Sequence, residues 1–194
     1  MARDGERSLD RVLSRADAVL VVVDIQQRLV PAIDRALYER SLRNFKIVIE
    51  TAGTLGLPIL LTEQYPKGLG RTVPAVMQAL EGKSYELVEK VTFSCARDEG
   101  FLAAVARTGR RQIVLVGMET HVCVYQTSLD LRNGGYEVFV LDDAVSSRFP
   151  HNYESGIAAL RDAGVVVIST ESAVFQLLQV AATPEFKKIS SLLR

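Results

Sequence analysis

AVLVVVD, residues Ala18 to Asp24, is the stretch that decides the fold. An unbroken run of aliphatic, mostly β-branched side chains ends abruptly at an acid. That pattern fits a short strand buried on both faces, as in a parallel sheet. Asp24 then sits at the strand's C-terminal end, the edge beyond which ligands of open α/β sheets bind.

Outward from this strand, the chain alternates between strand-like and helix-like segments. Tyr38 to Leu55 carries Leu42, Phe45, Ile49 and Ala52 at helical spacing, with Gly56 as a stop and Pro58 close behind. Pro58 to Leu61 reads as a second strand. The segment TEQYPKGLGRTVP, Thr62 to Pro74, reads as a loop from its glycines and prolines. Ser84 to Val88, Gln112 to Val116, Tyr136 to Leu141 and Val165 to Ile168 complete six expected strands. Helices are expected over Asp98 to Thr108, Val122 to Arg132, Asn152 to Asp162, Ser172 to Val180 and Glu185 to Ser191. Such alternation predicts an α/β fold with a mostly parallel sheet covered on both sides. No Pro/Gly/Ser-rich linker divides the 194 residues, so residues 1–194 are expected to form a single domain, with residues 1–9 flexible.

Composition narrows the function. The 23 basic and 23 acidic side chains balance to a formal charge of +0, which gives no basis for capturing nucleic acid electrostatically. The apolar runs are strand-length, far short of a membrane span of roughly 20 residues. The charged opening, MARDGERSLDRVLSRAD, lacks an apolar signal region, so a cytoplasmic protein with reduced thiols is expected. No phosphate-binding glycine loop follows the first strand, and no cofactor is expected.

The densest chemical signal is VLVGMETHVCVYQTSLDL, Val114 to Leu131. A buried strand ends at Gly117, a polar turn follows, and Cys123 falls near a helix start. Free N–H groups and the peptide dipoles there favour a thiolate, and the same N–H groups can face a developing oxyanion. A nucleophilic cysteine also needs a proton acceptor. His121 lies only two positions away, which is unfavourable for a shared helical face. Asp24 is the alternative base, and Lys90 can stabilise either negative charge. A buried cysteine that merely packs is the competing reading, and spacing alone leaves the choice open.

Three segments resemble the isochorismatase-like, or nicotinamidase-like, cysteine hydrolase superfamily: VVVDIQ (Val21 to Gln26), EKVTFSC (Glu89 to Cys95) and VGMETHVCV (Val116 to Val124). They occur in the expected order, and the similarity continues through GYEVFVLDDAVSSR, Gly135 to Arg148. TEQYPKGLG and the stretch around LDDAVSSR resemble the isochorismatase-domain-containing branch in particular. The resemblance implies a Rossmann-like three-layer α/β/α sandwich with strand order 3-2-1-4-5-6. It implies Asp24, Lys90 and Cys123 as catalytic residues, a cis peptide at Met118-Glu119, and an oxyanion hole made by the N–H groups of Glu119 and Cys123. Gln26, Glu63, Gln64, Tyr65, Phe93, Thr120 and His121 are the expected substrate-pocket residues.

The implied activity is metal-independent hydrolysis of a small amide-like substrate through a covalent thioester-type intermediate. The segment after the second strand holds no histidine, and the chain's two histidines, His121 and His151, are far apart. No metal site is therefore expected. Homo-oligomerisation is expected by the same resemblance. The alternative is a noncatalytic interaction protein that retains the pocket.

Overall fold

The computed structural model describes residues 12–193. The expectation of flexibility at residues 1–9 lies outside the described residues. Six strands, β1 (Ala18–Val23), β2 (Ile59–Gln64), β3 (Glu86–Lys90), β4 (Gln112–Met118), β5 (Glu137–Ser146) and β6 (Val166–Ile168), form one sheet. Its order is β3-β2-β1-β4-β5-β6, and every neighbouring pair is parallel. The helices are α1 (Arg35–Leu55), α2 (Pro66–Leu69), α3 (Pro74–Leu80), α4 (Glu99–Thr108), α5 (Tyr125–Asn133), α6 (Pro150–Asp162), α7 (Thr170–Leu178) and α8 (Pro184–Ser190).

The layering follows from period-two alternation along β1. Ala18, Leu20 and Val22 face a core that includes Phe45 and Ile49 of α1, Val76 of α3, Val174 of α7 and Ile189 of α8. Val19, Val21 and Val23 face a second core with Phe101 of α4, Leu131 of α5 and Leu160 of α6. All six β1 residues are buried, because helices cover both faces. The result is the expected three-layer sandwich.

Several boundaries differ from the sequence reading. β2 runs on through Thr62, Glu63 and Gln64, which pair with Val88, Glu89 and Lys90 of β3. The expected loop after Leu61 therefore begins three residues late, since polar side chains there are bonded within the sheet end. β5 passes beyond Leu141 to Ser146. Its register against β4 jumps between Leu115↔Val140 and Gly117↔Val145. Asp142 and Asp143 occupy that bulge, which is why a strand signal fades there. Asp143 Oδ1 accepts from the backbone N–H and hydroxyl of Thr170 at 2.8 and 2.6 Å, fastening the start of α7.

Candidate active site

The C-terminal ends of β1, β2, β3 and β4 bring the site together. Asp24 follows β1 with a left-handed backbone, φ 52°, and its N–H donates to Thr62 O at 3.2 Å. Lys90 ends β3, on the far side of β2. Its side chain crosses beneath β2's end, so that Nζ donates to Asp24 Oδ2 at 2.7 Å and Gln64 Oε1 at 2.8 Å. Thr92 O and Phe93 O lie at 3.2 and 3.4 Å. Both partners of the ion pair are buried. A lysine there keeps its charge only because every N–H finds an oxygen. Burial works against that charge, but the charge and hydrogen bond of Asp24 act the other way, and the ammonium is held above the ordinary lysine range.

Cys123 arrives from β4. The Gly117 backbone, φ 118°, lets β4 run against β1; a side chain there would meet Val23 O at 2.1 Å. The Met118-Glu119 peptide is cis. Thr120 to Val124 form a wide π-helical turn, and α5 starts only at Tyr125. The helix expected from Val122 thus begins with this turn, and Cys123 sits inside it. Its thiol lies within reach of the charges of Asp24 and Lys90. Burial and the adjacent Asp24 carboxylate together push the thiol well above the ordinary cysteine range, against the pull of Lys90. The helix-start effect that favours a thiolate is thus opposed here by desolvation beside a carboxylate.

The expected pocket residues divide into two groups. Gln26, Glu63 and Gln64 spend their polar atoms on the framework. Gln26 Nε2 donates to Gln64 O and Gly70 O at 3.0 and 2.7 Å, while its Oε1 accepts from Gln64 N at 2.8 Å. Glu63 was expected to line the pocket. Its carboxylate instead accepts from Thr72 N and Oγ1 at 2.7 and 2.8 Å, and from Arg71 at 2.9 Å. Burial opposes the Glu63 charge, but these donors hold the carboxyl below its ordinary range. Gln64 Nε2 donates to Val91 O at 2.8 Å, leaving Oε1 to hold Lys90. Gln26 and Glu63 fasten the Tyr65–Val73 segment to the sheet, and Gln64 holds the Lys90 side chain and the residue after it.

Tyr65 and Phe93, by contrast, are exposed at the strand ends. His121 is half-buried with Nδ1 3.1 Å from Ser147 Oγ, and Thr120 Oγ1 is buried without a protein partner. Glu119 is anchored by Arg148, whose backbone N–H and Nε reach its carboxylate at 3.0 and 3.1 Å.

Residue-by-residue reading missed Thr62, Arg148 and Gly156. Thr62 Oγ1 donates to Asp24 Oδ1 at 2.7 Å, and strand order alone would have placed it beside β1's end. Gly156 brings α6 against the turn that carries Cys123. A Cβ there would stand 3.1 Å from His121 N and Cα and from Thr120 Cγ2. No local signal marks Arg148 or Gly156, because both act on a turn about thirty residues away. Among the described residues, no group of three or more His, Cys, Asp or Glu side chains could hold a metal ion, and no helix is long and apolar enough to cross a membrane.

Comparison with known proteins places the chain in a family. The Isochorismatase domain family matches residues 18–172. Isochorismatase domain-containing protein 1 of Danio rerio is 36% identical over 183 residues, covering 94% of this chain and 62% of that protein's length. The structure of the MAR1 ribonuclease of Caenorhabditis elegans superposes with a TM-score of 0.86 at 30% identity, covering 94% of this chain and 92% of that one. The YcaC gene product of Escherichia coli, described as an octameric hydrolase of unknown specificity, shares the fold with a TM-score of 0.82 at 22% identity, covering 93% and 90%.

Proposed function

This chain belongs to the isochorismatase family, and from that premise we propose that it is a metal-independent cysteine hydrolase of a small amide-like substrate. The family's hydrolase fold supports a hydrolytic role. One observation carries the finer reading: a buried Lys90–Asp24 ion pair set close enough to the Cys123 thiol for both charges to act on it. Buried charges of this kind are costly, and a purely structural core would place apolar side chains there instead.

In this mechanism the resting enzyme holds a neutral thiol against an ionised carboxylate. Asp24 takes the Cys123 proton as the sulfur attacks the substrate carbonyl. The C–S bond forms, and the carbonyl electron pair moves onto oxygen. The N–H groups of Glu119 and Cys123 stabilise that oxyanion. Collapse breaks the C–N bond, and Asp24 hands its proton to the leaving amine. Water then attacks the thioester with Asp24 as base, releasing a carboxylic acid and restoring the thiol. Lys90 keeps its proton throughout and holds the carboxylate in place. Tyr65, Phe93, Thr120 and His121 would border the substrate, with exposed Tyr65 and Phe93 supplying an apolar rim.

Assembly into a homo-oligomer accompanies this reading, supported by the octamer described for the Escherichia coli neighbour. Sedimentation velocity tests it. A panel of small amides, with intact-mass detection after rapid acid quench, tests the chemistry. A substrate-dependent adduct on Cys123, released by hydroxylamine and absent in Cys123→Ala, is expected. Turnover that survives in Cys123→Ala would remove the cysteine mechanism. Stable partner binding with no adduct on any amide would favour a noncatalytic protein.

A further inference from the structure

Behind the Asp24 carboxylate lies a second row of polar side chains sealed from solvent. Thr62 is fully buried on β2, beside the end of β1. It holds Asp24 twice: its carbonyl accepts the Asp24 N–H at 3.2 Å, and its hydroxyl donates to Oδ1 at 2.7 Å. The single hydroxyl proton is thereby committed to Asp24. The Thr62 oxygen in turn accepts from Cys95 Sγ at 3.9 Å. Cys95, also fully buried, donates its N–H to Thr127 Oγ1 at 2.8 Å. Thr127 stands one helical turn beyond Cys123, on the segment that carries the nucleophile.

Thr127, Cys95, Thr62 and Asp24 thus form a continuous path from the nucleophile's helix to the carboxylate, and this path does not pass through Lys90. A valine would fill the Thr62 site with the same shape and no polar atom to desolvate. A hydroxyl is worth its burial here because its acceptor is ionised, and hydrogen bonds to charged groups are the strong ones. With Lys90 on Oδ2 and Thr62 on Oδ1, both carboxylate oxygens are claimed and the group cannot rotate. The geometry points to Thr62, backed by Cys95, as a positioning residue that orients Asp24 for proton exchange with Cys123. This inference rests on the acid–base role of Asp24 proposed above.

The test is the pH dependence of iodoacetamide labelling at Cys123, followed by peptide mass spectrometry in wild type, Thr62→Val, Thr62→Ser and Asp24→Asn. A hydroxyl donor favours the ionised carboxylate, so its loss makes Asp24 hold a proton to higher pH. Thr62→Val is expected to move the acid limb of the labelling rate upward by about one pH unit, slowing the reaction about tenfold below that limb. Thr62→Ser, which keeps the donor, restores the wild-type limb. If Thr62→Val does not fold, Thr62→Ala serves for the same reading. A Thr62→Val limb at the wild-type position, alongside an altered Asp24→Asn profile, overturns this inference and leaves the proposed function standing. A wild-type profile in Asp24→Asn overturns both.

Discussion

Lys90 Nζ lies 2.7 Å from Asp24 Oδ2, with the lysine side chain fully sealed from solvent and the aspartate 1% exposed. The two residues are 66 positions apart. Neither charge has bulk water to fall back on, so each depends on the other. Lys90→Met leaves the carboxylate buried without its cation, and a loss of about 3–5 kcal/mol in folding stability is expected. Asp24→Asn with Lys90→Met removes both charges and costs less than the two single changes added together. Urea unfolding of the four proteins checks this.

Labelling of Cys123 is expected to depend on pH in a way that an ordinary thiol does not. Burial and the Asp24 charge hold the proton on sulfur, so no step is expected at the ordinary thiol value of about 8.5. In the proposed mechanism reactivity comes from proton transfer within the Asp24–Cys123 pair, so a rate flat across neutral pH is expected. Asp24→Asn removes the negative charge that raises the thiol. The neutral plateau then drops, and an alkaline step appears at lower pH than in wild type. Cys95, whose thiol burial pushes up to about 11, stays unlabelled in the folded protein throughout.

Gly117 is the backbone condition for the site. An added Cβ would lie 2.1 Å from Val23 O and 2.8 Å from Val23 C and N, and φ 118° is strained for any side chain. Gly117→Ala must part β1 from β4 just where Asp24 and the Cys123 turn depart. A stability loss of about 3 kcal/mol or more is expected, with Cys123 labelling rates falling alongside. Thermal unfolding and labelling on one sample provide the readout.

Gly156 separates stability from function. Alanine is the better helix former by about 1 kcal/mol, while crowding against His121 and Thr120 at 3.1 Å costs a similar amount. Gly156→Ala is therefore expected to unfold within about 1 kcal/mol of wild type. Its Cys123 nonetheless labels more slowly, because α6 presses on the turn that carries it. An unchanged labelling rate would mean that the turn is not held by α6.

The sequence by itself determined the fold class and the order of its elements. Runs such as AVLVVVD carry their own evidence, because a strand buried on two faces has no polar position to offer. A helical period and a glycine stop did the same for α1, to within a few residues. Asp24, Lys90 and Cys123 stood out because they match motifs, although nothing in their spacing brings them together. Tertiary structure decided the rest. Parallel strand order set Thr62 and Gln64 around the Asp24–Lys90 pair, turned the Glu63 carboxylate onto Thr72, and placed Gly156 against the Cys123 turn. It also set the surroundings of the thiol: a helix start alone argues for a thiolate, but burial beside a carboxylate pushes the thiol up. Desolvation and charge proximity depend on what surrounds a group in space, and periodicity along a chain carries no record of that.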